Sequence, residues 1–562
     1  MNNTVSKIIY NHLSKNLSTA YIYSGGSIMT LINHFSENKM KYYIPSSEMS
    51  AGFCSIGHNK LLNRCDSVII TTSGPGLTNA ITPITDAFCD RVPLLVISGD
   101  VSTNMMGKDA FQEAPSIKLT SPITYWNYTL TDENEIHDVM NTTFNLLKNG
   151  KQVHLNIPKD IINKTVLCNT NIKNDIKINL HYNYSLSLIK EIGDIINNSN
   201  NPIFYIGKGC RYASEVLKKI ALKANIPVTT TLHGLGIFDE ESYLSLKMVG
   251  MHGSEKANNS IQLSDCIICV GARFDDRTVG NIEKYAPNAK HIIHINNDQT
   301  TFNKVLNNTI NVYGESFDIL SKLENYIIEK KNSEWIQYLD RYTKKFYFDN
   351  NILNQQYILT ILNKLFNKEN TIIVTGVGNH QMYSAQYIEY RYPNRFITSG
   401  SLGTMGSCNS LSIGAKIANP DKIIIAIDGD NSFNMLNDLK MIMNYNIPIK
   451  IIIMNDGKQS MVNVWEKLFF NGNIVATESI NPNYEFIAKA YNIKYIQINK
   501  KDDVYDKIKE FINYDFNKSV ILDCHVKSDY CLPLVPPGAA LNEMITYNNI
   551  NDYKPTTDIA PN

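Results

Sequence analysis

Ile427-Asp428-Gly429-Asp430-Asn431-Ser432, followed by Met454-Asn455-Asp456, decides how this chain is read. The apolar run Ile423 to Ile427 predicts a buried parallel strand ending in Gly429-Asp430. A helix-like segment follows, and then a second apolar run, Ile449 to Met454, ends in Asn455-Asp456. Two successive strands of one parallel sheet would each deliver an oxygen ligand to the same carboxyl edge, where open α/β sheets bind ligands. A carboxylate at each strand end suits Mg²⁺ or Ca²⁺, which take oxygen ligands and can share coordination with a diphosphate. A single Gly-Asp pair is common, so its meaning comes from what surrounds it.

Working outward, three segments alternate strand-like and helix-like patterns, which predicts an α/β protein of three doubly wound parallel-sheet domains. The first spans 1–165 and contains strand-like Ser67 to Thr72, Leu94 to Ser98 and Val153 to Ile157. The second spans 185–326, with Pro202 to Ile206, Cys266 to Val270 and His291 to Ile295. The third spans 355–526, and 527–562 reads as a C-terminal tail. A polar link, Cys168 to Asn183, and a charged, aromatic helical stretch, Glu329 to Asn350, join the segments.

A chain of 562 residues is too long for one core, and its 43% hydrophobic and 19% charged content fits a folded globular protein. Zero formal charge and no basic stripe argue against a nucleic-acid surface. No apolar run reaches the ~18 residues of a membrane span. Met1 to Tyr10 carries neither an apolar signal core nor an Arg-rich transit pattern, so a cytoplasmic location is expected. Ten cysteines lie mostly in apolar stretches, as suits a reducing compartment. Cys266 and Cys269 form the one Cys-x-x-Cys pair, and it reads as two buried small side chains rather than a metal or redox site.

Ser73-Gly74-Pro75-Gly76 follows an apolar strand and opens a helix, where free N–H groups attract anionic atoms. Asp109-Ala110-Phe111-Gln112-Glu113 and Asn156-Ile157-Pro158-Lys159-Asp160 come next. Further on are Gly250-Met251-His252-Gly253 and Gly271-Ala272-Arg273-Phe274-Asp275-Asp276-Arg277. Thr375-Gly376-Val377-Gly378-Asn379-His380-Gln381-Met382, Gly403-Thr404-Met405-Gly406 and Val535-Pro536-Pro537-Gly538 complete the set. In this order, from Ser24 to Met544, the motifs resemble the acetohydroxyacid synthase (acetolactate synthase) catalytic subunits. Gly-Asp before Asn455-Asp456 resembles the wider thiamin-diphosphate fingerprint. Phe-Gln-Glu, Gly-Met-His-Gly, Arg-Phe-Asp-Asp-Arg and the Val-Pro-Pro-Gly tail are the more specific part.

The resemblance implies pyrimidine-binding, FAD-binding and diphosphate-binding domains, in that order. It implies a carboligation in which pyruvate loses CO₂ and the remaining two-carbon unit joins a second pyruvate or 2-oxobutyrate. This is the first shared step of branched-chain amino-acid synthesis. Glu48, which composition alone reads as a surface carboxylate, would hydrogen-bond the cofactor's aminopyrimidine and favour its imino tautomer. Gln112 and Met405 are the other catalytic candidates, Met405 as the prop that bends the cofactor. Gly25, Gly26, Ser73, Gly74, Gly378, Asn379, His380, Gly429 and Met461 would complete the thiamin-diphosphate site. Asp430, Asp456 and the backbone of Lys458 would hold Mg²⁺. FAD would lie against Gly207, Gly209, Thr231, Leu232, Met251, His252, Gly271, Arg273, Asp275 and Arg277.

Substrate contacts would come from Phe111, Lys159, Arg273 and Trp465. Arg273 suits the acceptor carboxylate, because a planar guanidinium matches it bidentately. Its plainer reading is part of a salt-bridge cluster at a helix start, and a single Trp is otherwise most often core. Because the family's glutamate and diphosphate site come from different subunits, a homodimer is the least assembly. A homotetramer and a small regulatory subunit are further partners the pattern admits.

Some positions depart from the family. Asp456 stands for the second Asn, Asn431 for a small residue, Cys408 and Ser410 for Gly and Pro, and Ser47 for His. Ile22 and Ser24 alter the first glycine-rich turn. Two rival readings stand beside this one: another thiamin-diphosphate-dependent 2-oxo acid decarboxylase or oxidase, and a catalytically weakened cofactor-binding paralogue, which the changes around the metal site motivate.

Overall fold

The apolar runs quoted above become interior strands of three six-stranded sheets whose neighbours all run parallel. The computed structural model describes residues 4–166, 184–331, 334–343, 349 and 351–552. The polar link expected at Cys168 to Asn183 lies outside the described residues.

The first sheet is built from β1 (Thr19–Ile22), β2 (Lys41–Tyr43), β3 (Ser67–Thr71), β4 (Leu94–Asp100), β5 (Trp126–Thr129) and β6 (Gln152–Pro158), in spatial order 2-1-3-4-6-5. The central sheet comprises β7 (Pro202–Ile206), β8 (Val228–Thr230), β9 (Ser245–Met248), β10 (Cys266–Val270), β11 (His291–Asn296) and β12 (Ile310–Tyr313), in order 12-11-10-7-8-9. The third comprises β13 (Thr371–Thr375), β14 (Phe396–Ile397), β15 (Ile423–Gly429), β16 (Lys450–Asn455), β17 (Lys494–Ile498) and β18 (Val520–His525), in order 14-13-15-16-18-17.

Helices cover both faces of each sheet, which is why interior strands such as β3, β10 and β13 are buried at every residue. Cys266 and Cys269 are buried in cores on opposite faces of β10. β15 and β16 pair in register, Ile427 opposite Ile452 and Gly429 opposite Met454. Asp430 and Asp456 therefore leave the sheet side by side. The order reverses between β13 and β15, so these strand ends flank the switch-point crevice.

One apolar core joins the first and third sheets. Phe53, Cys54 and Ile56 of the helix Glu48–Leu62 share it with Cys408, Leu411 and Ile413 of the helix Cys408–Ala418. The two helices cross with backbones touching. A Cβ on Gly57 would sit 2.0 Å from the Leu411 carbonyl oxygen, and one on Gly414 would sit 1.8 Å from that of Cys54. The tail does not stand apart: Val535, Leu541 and Met544 belong to a core against the central sheet. The helix expected across Glu329 to Asn350 is a correction, because among the described residues only Glu334–Leu339 is α-helical there. Charge and aromatic content gave that stretch a helical look without an apolar face long enough to hold it.

Candidate active site

Ser47 caps the helix Glu48–Leu62, its hydroxyl accepting from Ser50 N at 3.1 Å, so the family's His is not needed to start this helix. Glu48 is thereby fixed as the first helical residue. It is buried, and Asn79 Nδ2 donates to its Oε2 at 3.1 Å. A Cβ on Gly76 would stand only 3.6 Å from Oε1. Ser73 N donates to Ser27 Oγ at 3.0 Å, tying the turn holding Gly25 and Gly26 to that holding Ser73 and Gly74. Gly74, at φ +58°, lies against the Gln112 backbone, where a Cβ would meet the carbonyl oxygen at 2.7 Å. Glu48, Ser73, Gly74, Gln112, Gly25 and Gly26 thus share one sheet edge. Phe111 and Lys159 lie exposed beyond it.

The second group sits on the third sheet. Asp430 is 1% exposed, and its carboxylate accepts four N–H bonds. Gly457 N (2.6 Å) and Asn481 Nδ2 (2.5 Å) donate to Oδ2, while Asn431 N (2.7 Å) and Asn431 Nδ2 (3.3 Å) donate to Oδ1. A carboxylate has about four acceptor directions, so a cation taking an Asp430 oxygen competes with the Asn431 or Asn481 side chain. Asn481 carries no signal in an Asn-rich sequence and was not among the expected residues. Asp456 Oδ2 accepts from Ser460 Oγ and, at 2.9 Å, from Ser528 Oγ; its Oδ1 accepts from Lys458 N at 3.2 Å. Burial, with the Asp430 charge adding to it, pushes the Asp456 carboxyl up to about 6, although the two hydroxyls pull the other way. The Lys458 ammonium does not face this charge but pairs with Glu478 at 2.6 Å.

Gly378, Asn379 and His380 follow β13. Both amide atoms of buried Asn379 lack a hydrogen-bond partner among the described residues. His380 Nε2 lies 3.3 Å from Asp428 Oδ1, out of hydrogen-bond alignment, and a Cβ on Gly429 would meet His380 Nδ1 at 3.0 Å. Met405 is half-buried next to Gly406, whose N donates to Ser432 Oγ at 2.8 Å, so it belongs to this group. Met461 and Trp465 lie half-buried on the helix Ser460–Phe469, the Trp465 ring 4.9 Å from that of Phe469. Among the described residues no hydrogen bond or ion pair joins Glu48 to Met405, Asp430 or Asp456; its carboxylate is held by Asn79.

The third group is the carboxyl edge of the central sheet. Gly209 N donates to Gly271 O at 2.9 Å, and a Cβ on Gly271 would come within 2.4 Å of the Gly209 backbone, so these two loops close on each other. Gly207 pairs with Val270, and Thr231 with Ile206, beside Leu232. Asp275 caps the short helix Asp276–Val279 in a capping box with Thr278, so its carboxylate already has a structural task. Met251 N donates to Arg277 O at 2.7 Å, and Met251 O accepts from Val535 N at 2.8 Å. Burial holds the His252 imidazole down at about 4, with Nδ1 3.2 Å from Pro533 O. Among the described residues Arg273 makes no ion pair at the helix start, where Arg277 pairs with Asp276 at 3.5 Å. Arg273 reaches outward, Nη1 to Cys89 O at 3.0 Å and Nη2 to Ser401 Oγ at 2.5 Å, touching both outer sheets' domains.

The donor chemistry fits the implied groups. Two carboxylates beside an unpartnered buried amide suit a divalent cation with a diphosphate. The glycine-lined central edge keeps side chains off a backbone surface that a dinucleotide could approach.

Three family models match the chain. Residues 3–119 match "Thiamine pyrophosphate enzyme, N-terminal TPP binding domain", 189–323 the "central domain" and 376–524 the "C-terminal TPP binding domain". Fold and site together define a thiamine pyrophosphate enzyme. The catalytic subunit of mitochondrial acetolactate synthase from Saccharomyces cerevisiae is 35% identical over 95% of this chain and 82% of its own length. Mitochondrial acetolactate synthase of Schizosaccharomyces pombe is 32% identical over 96% of this chain and 86% of its own, and chloroplastic acetolactate synthase 2 of Nicotiana tabacum is 33% identical over 94% and 83%. The chain belongs to the acetolactate synthase family. Among the described residues no helix is long and apolar enough to cross a membrane.

Proposed function

We propose that this chain joins pyruvate to a second 2-oxo acid with loss of CO₂. The product is 2-acetolactate from pyruvate or 2-aceto-2-hydroxybutyrate from 2-oxobutyrate, the first shared step of branched-chain amino-acid synthesis. The carrying observation is similarity along 95% of the chain to an acetolactate synthase. Bound thiamin diphosphate supplies a ring that accepts the electron pair left by CO₂. The reaction balances without an oxidant, so FAD is held, not turned over.

In this reading Glu48 gives and takes a proton at the aminopyrimidine ring. Asp430, Asp456 and the Lys458 backbone carbonyl would hold Mg²⁺. Gly25, Gly26, Ser73, Gly74 and Gln112 line one side of the cofactor, and Gly378, Asn379, His380, Met405 and Met461 the other. Arg273 binds the acceptor carboxylate, with Phe111 and Lys159 at the entrance. Glu48 serves the diphosphate site of a second copy, so the working unit is a homodimer or homotetramer. Within the chain Glu48 Oε2 accepts from Asn79 Nδ2, on the helix Pro75–Cys89 of the same segment. A reducing compartment is part of the reading, supported by free and mostly buried cysteines.

The test is purified protein supplied with pyruvate, Mg²⁺, thiamin diphosphate and FAD, with acetolactate as readout and flavin binding followed by titration. Acetolactate at multiple turnovers is expected; decarboxylation to acetaldehyde or acetate alone would replace this reading with that of a decarboxylase or oxidase. Trp465 faces the acceptor's extra methylene in this scheme, and one methylene is worth roughly 1–3 kcal/mol in an apolar pocket. Trp465→Leu is expected to reduce preference for 2-oxobutyrate by that margin while sparing acetolactate. Competition between the two acids measures it, and an unchanged product ratio would leave the tryptophan as packing.

Asp456→Asn removes one of two carboxylates that crowd an anionic diphosphate. Ser460 and Ser528 still have an oxygen to donate to. Thiamin diphosphate is expected to bind roughly tenfold more tightly at saturating Mg²⁺. Cofactor titration of both proteins decides it; weaker binding by the variant means the second charge is needed to hold the ion.

A further inference from the structure

Four residues, Ile44-Pro45-Ser46-Ser47, join β2 to the helix that begins at Glu48. They belong to no strand or helix, so the partners of their N–H groups decide how firmly Glu48 is placed. Before the cap residue Ser47, Pro45 has no N–H to give. The other two both cross to the third segment. Ile44 N donates to Tyr445 Oη at 2.9 Å, and Ser46 N donates to Asp438 Oδ1 at 3.1 Å. The Ser46 hydroxyl donates to that same oxygen at 2.5 Å.

The two acceptors stand at opposite ends of one short helix, Leu439–Tyr445. That helix is itself anchored, because Leu439, Met441 and Ile442 are buried in the core that joins the first and third sheets. At its far end the Tyr445 ring meets the Tyr43 ring edge to face, centroids 5.0 Å apart and planes at 72°. The link is therefore gripped at two points by an element 401 and 392 positions away in sequence.

Asp438 occupies the cap position of Leu439–Tyr445, where an aspartate ordinarily accepts from its own helix. Here the side chain makes no such bond. Its backbone is left-handed, at φ +48°, and the residue is only 3% exposed. A left-handed backbone and a buried carboxylate both cost stability. Neither benefits the helix that Asp438 starts. The carboxylate instead holds Ser46, two residues before Glu48.

We propose that Asp438 and Tyr445 are positioning residues for Glu48. They fix the backbone of the link, and through it the start of the helix Glu48–Leu62, against the third segment. The proposal rests on the role given to Glu48 in the function proposed above. Proton exchange at the aminopyrimidine ring needs a short, aligned contact, and a misplacement of about 1 Å can cost on the order of 10²-fold.

The experiment is a double-mutant cycle on the full chain, assayed for acetolactate with pyruvate, Mg²⁺, thiamin diphosphate and FAD at saturation. Asp438→Gly removes the carboxylate and leaves a left-handed backbone unstrained. Asp438→Asn keeps an acceptor oxygen and tolerates the same backbone. Tyr445→Phe removes only the hydroxyl. In the parent background Asp438→Gly and Tyr445→Phe should each lower kcat at least about fivefold, with the KM for pyruvate unchanged and Asp438→Asn within about twofold of the parent. In the Glu48→Gln background the same substitutions should change kcat by less than about twofold, because residues acting as a unit are not additive. A second readout needs no turnover: without cofactor, amide hydrogen exchange in the peptide spanning residues 43–50 should be at least about tenfold faster in Tyr445→Phe and Asp438→Gly than in the parent. Should Asp438→Gly fail to fold, Tyr445→Phe carries both measurements by itself. Equal fold losses in the two backgrounds would overturn the proposal, since such a loss does not pass through Glu48. Parent-like rates in both Asp438→Gly and Tyr445→Phe, or unchanged exchange across the link, would overturn it too. Glu48→Gln working at the parent's rate overturns the reading beneath the proposal, and the proposal falls with it. That failure is told apart because no Asp438 or Tyr445 variant enters the comparison.

Discussion

Glu48→Gln makes acetolactate about 10²–10⁴-fold more slowly than the parent at saturating cofactor, with thiamin diphosphate affinity largely kept. That loss corresponds to about 3–5 kcal/mol of transition-state stabilisation. The substitution is clean because position 48 is held by backbone and cap, not by its charge: Ser47 caps the helix whatever follows it. Glutamine keeps an oxygen for Asn79 Nδ2, which now donates to Oε2 at 3.1 Å. The other carboxyl oxygen is not crowded by Gly76, because even a Cβ there would stand 3.6 Å away, an ordinary contact distance. What disappears is the exchangeable carboxyl proton. Steady-state rates with cofactor titrations on both proteins separate a chemical loss from a binding loss, and a variant at full rate would falsify the assignment of Glu48.

The second large effect is on stability and pH. Glu240 is 5% exposed where the central segment meets the third, accepting Tyr390 N at Oε2 (3.1 Å) with Oε1 unpartnered among the described residues. Burial raises its carboxyl from 4.5 to about 7, against pulls downward from Lys247 and the Tyr390 N–H. A carboxyl raised by folding contributes stability that is full below about 4.5 and is lost as pH climbs through about 7. The difference is worth about 3 kcal/mol. Glu240→Gln, which keeps the acceptor for Tyr390, should therefore unfold much like the parent below pH 5 and be more stable by about that margin at pH 8. Denaturant unfolding at both pH values measures this, and a gap that does not widen with pH would show that folding leaves the Glu240 carboxyl at its ordinary value.

What could be read in advance follows physical signal strength. β10, β15 and β16 are buried on both faces, so their sequences are unbroken apolar runs and their ends fall within a residue or two of those expected. β2, β9 and β14 are short edge strands, two of them partly exposed and one only two residues long, and none carries such a run. Gly429-Asp430 could be picked out because it ends an apolar run that is followed by a second such run ending in Asn455-Asp456, and the two runs pair as neighbouring strands. Asn481 was not, since its place on Asp430 depends on a loop folding back across 51 residues. The Lys208 contacts to Asp90 and Arg91 were likewise hidden, because they join segments 118 and 117 positions apart and no local pattern records them. Asp275 was expected against FAD by resemblance, and its cap role became visible only with the helix in place.

The helix crossing at Gly57 and Gly414 sets a timetable for synthesis. Cys54 touches Gly414, 360 positions later in the chain (414 less 54). At about 5–20 residues per second, the ribosome needs roughly 20–70 s to supply that partner. Meanwhile the face of Glu48–Leu62 that carries Phe53 and Ile56 has no third-sheet helix to cover it. Contacts of such long sequence separation close late and slow folding. The nascent first segment thus carries an uncovered apolar face until the third is made, and slower translation between the two lengthens that exposure.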